Sequence, residues 1–189
     1  TLFKDRKLAA LARSIDALNT NAHTSRLEEP GATTIGNLYP LSPSQKGFVL
    51  LKKISPDASP NWAGLLTLKG NFQPDILAKT LDFLLAAHPM LRTVFVPENA
   101  QIWQKITNEQ QTPIQFFDIS DKNQDEQSVV LDSAFAQLRH TNFDLAQYPL
   151  FRVHLYRTGE RTGVLLICMH HIITDGWSTH ILLNDLVRV

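Results

Sequence analysis

The chain has 189 residues, 43% of them hydrophobic, and its 18 acidic and 18 basic side chains cancel to a net charge of zero. That balance gives no electrostatic footprint for nucleic acid or an anionic membrane surface, and no apolar run reaches the ~18 residues of a spanning helix. One cysteine, Cys168, excludes an internal disulfide framework and reads as core packing. A chain of this length buries a full core as one domain, or as a domain with an appendage. Lys4, Asp5, Arg6 and Lys7 interrupt the N-terminus, which therefore lacks a signal-like start, and a cytoplasmic location is expected.

In chain order, Leu2, Phe3, Leu8, Leu11, Ile15 and Leu18 form the apolar stripe of a helix over 1–18. Residues 19–37 are polar and turn-rich, a linker composition. Ser42-Pro43-Ser44-Gln45 predicts a helix start, with Ser42 as N-cap, Pro43 at the first helical position and Gln45 completing a capping box. That helix runs to about Lys53, and Phe48, Val49, Leu50 and Leu51 read as its core face. Residues 62–69 have strand composition. Pro74 to His88 reads as a helix closed by Pro89. A strand follows over 91–96, ended by a turn at Pro97-Glu98-Asn99, with Arg92 set inside the apolar run. An unpaired buried guanidinium costs several kcal/mol, so Arg92 calls for a partner.

Two short strands, 101–106 and 114–119, precede a helix over 124–140 carrying Val130, Leu131, Ala134, Phe135 and Leu138. From Leu150 to Arg157 the side chains alternate: Phe151, Val153 and Leu155 on one face, Arg152, His154 and Tyr156 on the other, toward water or a channel. His154 is a candidate channel-lining group on that face. The mixture of strands and helices, with hairpin neighbours and crossovers, predicts an α/β or α+β fold with a mixed sheet packed by helices.

Val164 to Met169 is a continuous apolar run, read as a strand buried on both faces. It ends in His170-His171-Ile172-Ile173-Thr174-Asp175-Gly176, and a helix over 179–189 follows with Ser178 as N-cap. Two imidazoles, a carboxylate and a glycine thus sit on a strand-to-helix turn. Histidine is the residue most readily tuned to take and return a proton near neutral pH. Gly176 admits close backbone approach, and amides at a helix start favour developing negative charge. A metal site from His170 and His171 is disfavoured, because adjacent strand residues point to opposite faces and no cysteine or carboxylate completes a shell.

The string HHIITDGWS resembles the HHxxxDG motif of the condensation domains of nonribosomal peptide synthetases, relatives of chloramphenicol acetyltransferase. Tyr39-Pro-Leu-Ser-Pro-Ser-Gln-Lys-Gly47 resembles that family's opening motif and His88-Pro-Met-Leu-Arg-Thr-Val-Phe95 its second. Phe143-Asp-Leu with Pro149-Leu-Phe-Arg152 resembles its usual approach to the histidines. The resemblance implies that 38–189 is the N-terminal lobe of such a domain, a chloramphenicol acetyltransferase-like fold whose second lobe is missing from this sequence. Residues 3–12 are similar to the last helix of a peptidyl carrier domain, which implies that 1–18 is a carrier remnant.

The implied reaction is amide-bond formation by acyl transfer. An upstream carrier presents a peptidyl or acyl thioester, and the amine on a downstream carrier attacks it. The 4'-phosphopantetheine arms belong to those partner carriers, none being attached within this chain, and an adenylation domain of the same assembly line is a further partner. His171 is then the catalytic residue, either removing the amine proton or positioning the amine. Gly176 offers its N–H to the oxyanion, His170 packs and hydrogen-bonds around the loop, and Asp175 holds the loop through an arginine, Arg92 first and Arg152 as competitor. A non-catalytic platform for carrier or tailoring proteins, or an epimerisation-type relative, are the alternatives. A heterocyclisation relative would carry a DxxxxD string in place of the histidines.

Overall fold

The fold is described from a computed structural model, over residues 37–70 and 73–188. The expected helix over 1–18 and all but the last residue of the 19–37 linker lie outside the described residues.

Helix α1, Pro43–Ile54, starts where Ser42 and Gln45 close a reciprocal capping box. The Gln45 N–H donates to Ser42 Oγ at 3.3 Å, and Ser42 N–H donates to Gln45 Oε1 at 2.8 Å. Lys52 and Lys53 in the last turn complement the helix dipole. Helix α2, Pro74–Ala87, opens on proline and stops at His88, where Pro89 restricts its predecessor to extended backbone. Helix α3, Gln124–Arg139, is entered through a second capping box, Asn123 with Glu126. Helix α4 spans Gly176–Arg188.

Among the described residues seven strands form two sheets, β1 Leu38–Pro40, β2 Asn61–Lys69, β3 Thr93–Glu98, β4 Gln101–Ile106, β5 Ile114–Asp118, β6 Phe151–Gly159 and β7 Thr162–His170. A three-stranded sheet has the order β1-β4-β3 and a four-stranded sheet the order β2-β7-β6-β5. All pairs are antiparallel except β5 with β6, so the larger sheet is mixed, as the pattern of elements predicts.

β7 is an inner strand of the four-stranded sheet. From Gly163 to His170 every residue is buried, with Leu165, Leu166 and Cys168 fully enclosed. β2 lies antiparallel on one side, Trp62 opposite Met169, and β6 on the other, Phe151 opposite Met169. Phe151, Val153, Ile167 and Met169 meet Leu81 and Leu84 of α2 and Leu182 and Leu186 of α4. On the opposite face Cys168 Sγ donates to the Leu138 carbonyl of α3 at 3.1 Å. The sheet is thus sandwiched between helices, and burial pushes the Cys168 thiol up to about 11, so it is packed and unreactive.

Two expectations change. Tyr156, expected on the wet side of β6, is buried, because Phe117 stacks on its ring at 4.7 Å. The turn expected at Pro97-Glu98-Asn99 falls one step later. Pro97 and Glu98 pair with Ile102 and Gln101, and the loop is Asn99-Ala100. Pro97 is tolerated because β3 is an edge strand. Both loop residues have positive φ, 49° and 63°, the geometry of a tight primed hairpin turn. Alanine is disfavoured there by its Cβ, so Ala100→Gly is expected to raise stability by about 1 kcal/mol in urea denaturation.

Candidate active site

The site is the turn that carries β7 into α4. Its backbone is pinned from both sides. His170 N–H donates to Leu150 O at 3.0 Å and His171 N–H to Pro60 O at 2.9 Å, while Ile173 N–H returns to His170 O at 3.1 Å. β7 ends at His170, and the two imidazoles meet different surroundings although their centroids lie 5.9 and 6.2 Å from that of Phe48. His170 is only 3% exposed and is boxed edge-on by Phe48 and Phe143. Its Nδ1 accepts the Ile172 N–H at 3.0 Å, which places the proton of the neutral ring on Nε2. Burial, with the Lys52 ammonium and His171 adding to it, pushes His170 down to about 4. It is therefore neutral at physiological pH.

His171 opens into a cleft of about 400 Å³ whose walls include Gln45, Phe48, Met90, Thr174 and Ser178. Its ring lies parallel to Phe48, at 8° and 6.2 Å between centroids. Nδ1 stands 3.4 Å from Thr174 O. A proton on Nδ1 turned toward that carbonyl leaves the Nε2 lone pair free, the state a general base requires. The Thr174 hydroxyl is tied to that of Thr179 at 3.0 Å.

Asp175, rather than Ser178, caps α4. Its Oδ1 accepts the Ser178 N–H at 2.7 Å and its carbonyl accepts Thr179 N–H at 2.9 Å. Ser178 sits three residues further on, and its amide is the one that the Asp175 carboxylate caps. The Ser178 amide and hydroxyl hold the exposed Asp175 carboxyl below the usual carboxylate range. Gly176 is the first residue of the helix, among the amides without intrahelical partners. A Cβ added to it would meet nothing within 4 Å.

The expected arginine does not reach Asp175. Arg92 ends a one-turn 3-10 helix, Pro89–Arg92, that takes it out of the strand. Its guanidinium donates to Leu85 O and Thr107 O, both at 3.0 Å, closing the C-terminal end of α2. Arg152 lies over the Phe143 ring at 5.3 Å and donates to Phe151 O at 3.0 Å. Backbone carbonyls thus satisfy both cations, and Asp175 is held by the helix it starts. Among the described residues the ion pair between full charges is Arg157 with Asp118, at 3.5 Å.

Phe48 packs against the core, as expected, and also lies beside both histidine rings. The signal for that contact was its position three residues after Gln45, on the same face of α1. His88 is the C-cap of α2. It holds α4 through Asp185 at 3.0 Å. His154 is half-buried against Phe117 and is not part of the cleft wall; desolvation and then Arg152 lower its pKa. Among the described residues no group of His, Cys, Asp and Glu could hold a metal ion, and no helix is long and apolar enough to cross a membrane.

The condensation-domain family model matches residues 35–189, and the chain belongs to that family. A linear gramicidin synthase of Brevibacillus parabrevis is 35% identical over 157 residues, 82% of this chain and 3% of that protein. Tyrocidine synthase 2 of the same organism is 32% identical over 190 residues, covering 100% of this chain and 5% of its own length. The chain therefore spans only a few per cent of the curated relatives it matches. The starter condensation domain of rhizomide synthetase RzmA shares the fold, with a TM-score of 0.71 at 23% identity over 80% of this chain and 38% of that one.

Because the folded core accepts only neutral His170, the unfolded chain binds the extra proton between the ordinary value of 6.5 and about 4. The stability this ring contributes is intact above about pH 6.5 and lost as pH falls through about 4, amounting to about 3 kcal/mol. His170→Asn, which keeps an acceptor for Ile172 N–H without a titrating ring, is expected to lack that part of the pH dependence in urea unfolding measured from pH 7 to pH 4.

Proposed function

We propose that this lobe forms amide bonds in nonribosomal peptide synthesis, transferring an acyl or peptidyl group from an upstream carrier thioester to the amine of an aminoacyl group on a downstream carrier. The observation that carries the reading is a histidine held by its N–H on Pro60 O, with one ring nitrogen facing a carbonyl and the other free to face a cleft. The arms of the carriers supply the thioester sulfur. The second lobe of the domain closes the cleft, the carriers and an adenylation domain are its partners, and the setting is the cytoplasm.

The amine nitrogen adds to the thioester carbonyl while His171 Nε2 takes its proton. Collapse of the adduct breaks the C–S bond, and the departing thiolate recovers the proton from the imidazolium, so the base is restored. The developing oxyanion takes the amides at the start of α4, with Gly176 offering its N–H. Asp175 acts through the backbone, fixing where that helix begins. Neutral His170 supports the loop from below and does not compete for the proton.

The test is a product assay on the complete two-lobed domain with both carriers loaded. His171→Ala is expected to lower the amide-forming rate by about 10²–10⁴-fold with the carriers still bound. Full activity in that variant would move the reading to a carrier-binding platform.

A further inference from the structure

We infer that Gln45 is a positioning residue for His171, separate from its part in capping α1. The inference rests on the proposed amide-forming role only for its kinetic consequence. Gln45 is the buried polar residue of α1, 7% exposed. Capping uses only its oxygen, which accepts Ser42 N–H. A glutamate serves the capping box equally well. The amide nitrogen does something a carboxylate cannot. Nε2 donates to Gln104 Oε1 at 2.9 Å and reaches Ile172 O at 3.4 Å, the carbonyl of the residue after His171. Gln104 in turn donates to Pro40 O at 2.8 Å.

This chain of amides joins the three-stranded sheet, the start of α1 and the histidine turn. One helical turn on, Phe48 lies parallel to the His171 ring. α1 therefore grips the turn twice, by Gln45 on its main chain and by Phe48 beside the ring. The ring's one hydrogen bond among the described residues is a 3.4 Å contact to Thr174 O, inside the same turn. Displacement of the Ile172 carbonyl would carry His171 with it. A carboxylate at position 45 would face two carbonyl-type oxygens, and the turn would be pushed away rather than held.

The experiment compares Gln45→Glu with Asn123→Ala in the complete domain. The second variant weakens the remote capping box of α3 and serves as a control for destabilisation alone. Melting temperature, kcat and KM for the two carriers, and the ring ¹⁵N resonances of His171 are measured for each. Gln45→Glu is expected to lower kcat by about ten- to a hundredfold with KM changed by less than about twofold, and to shift the His171 resonances. Asn123→Ala is expected to lower the melting temperature and move neither. Unchanged His171 resonances in Gln45→Glu would overturn the inference whatever happens to kcat, as would an equal shift in Asn123→Ala. If the wild type forms no amide while Gln45→Glu still shifts those resonances, the proposed reaction fails and the positioning role stands.

Discussion

Everything in this fold depends on one strand being buried on both faces up to its last residue. β7 pairs with β2 and β6 and is covered by helices on each side, so its register and its end point are set by the core. At that end the chain leaves the strand after His170, and the adjacent histidines differ in burial. One is drawn into the core and kept neutral; the other is delivered to the cleft. Identical side chains thus acquire different chemistry one residue apart.

What holds the delivered ring in place is local and polar. The turn after β7 is fastened to Pro60 and Leu150 through its amides and to Gln45 through a carbonyl, and it ends on Asp175, whose carboxylate starts α4. His88 then anchors the far part of α4 through Asp185. A loop built this way uses side chains to satisfy backbone groups, which fixes geometry at modest net energy per bond. The aspartate is consequently an architectural residue of the helix start. An ion pair is unnecessary for that task, and both candidate arginines are occupied elsewhere by carbonyls.

The elements were legible in the sequence because their signals are local. Ser42-Pro43 with Gln45, Pro74, Pro89 and the apolar run ending at His170 each mark a boundary by backbone chemistry alone. The strand-helix turn and its two histidines were legible for the same reason. Partners across the fold were not. Arg92 looks unpaired along the chain, and only the 3-10 turn brings Leu85 O and Thr107 O to it. Ser178 and Asp175 are both good caps, and the choice between them depends on where the preceding turn leaves the chain. Tyr156 follows strand alternation yet is buried, since Phe117 comes from β5, nearly forty residues earlier in the chain. Gln45 showed its capping role, three residues from Ser42, and hid its contact with Ile172, 127 positions away.

The central claim is that His171 acts through a free Nε2 whose availability the turn protects. The most direct measurement follows the titration of the His171 ring by ¹⁵N NMR in the complete domain and, on the same sample, the single-turnover rate of amide formation across the same pH range. The account predicts a rate that rises as His171 loses its proton, with the two curves superimposing. A rate that stays level through the His171 titration would contradict it.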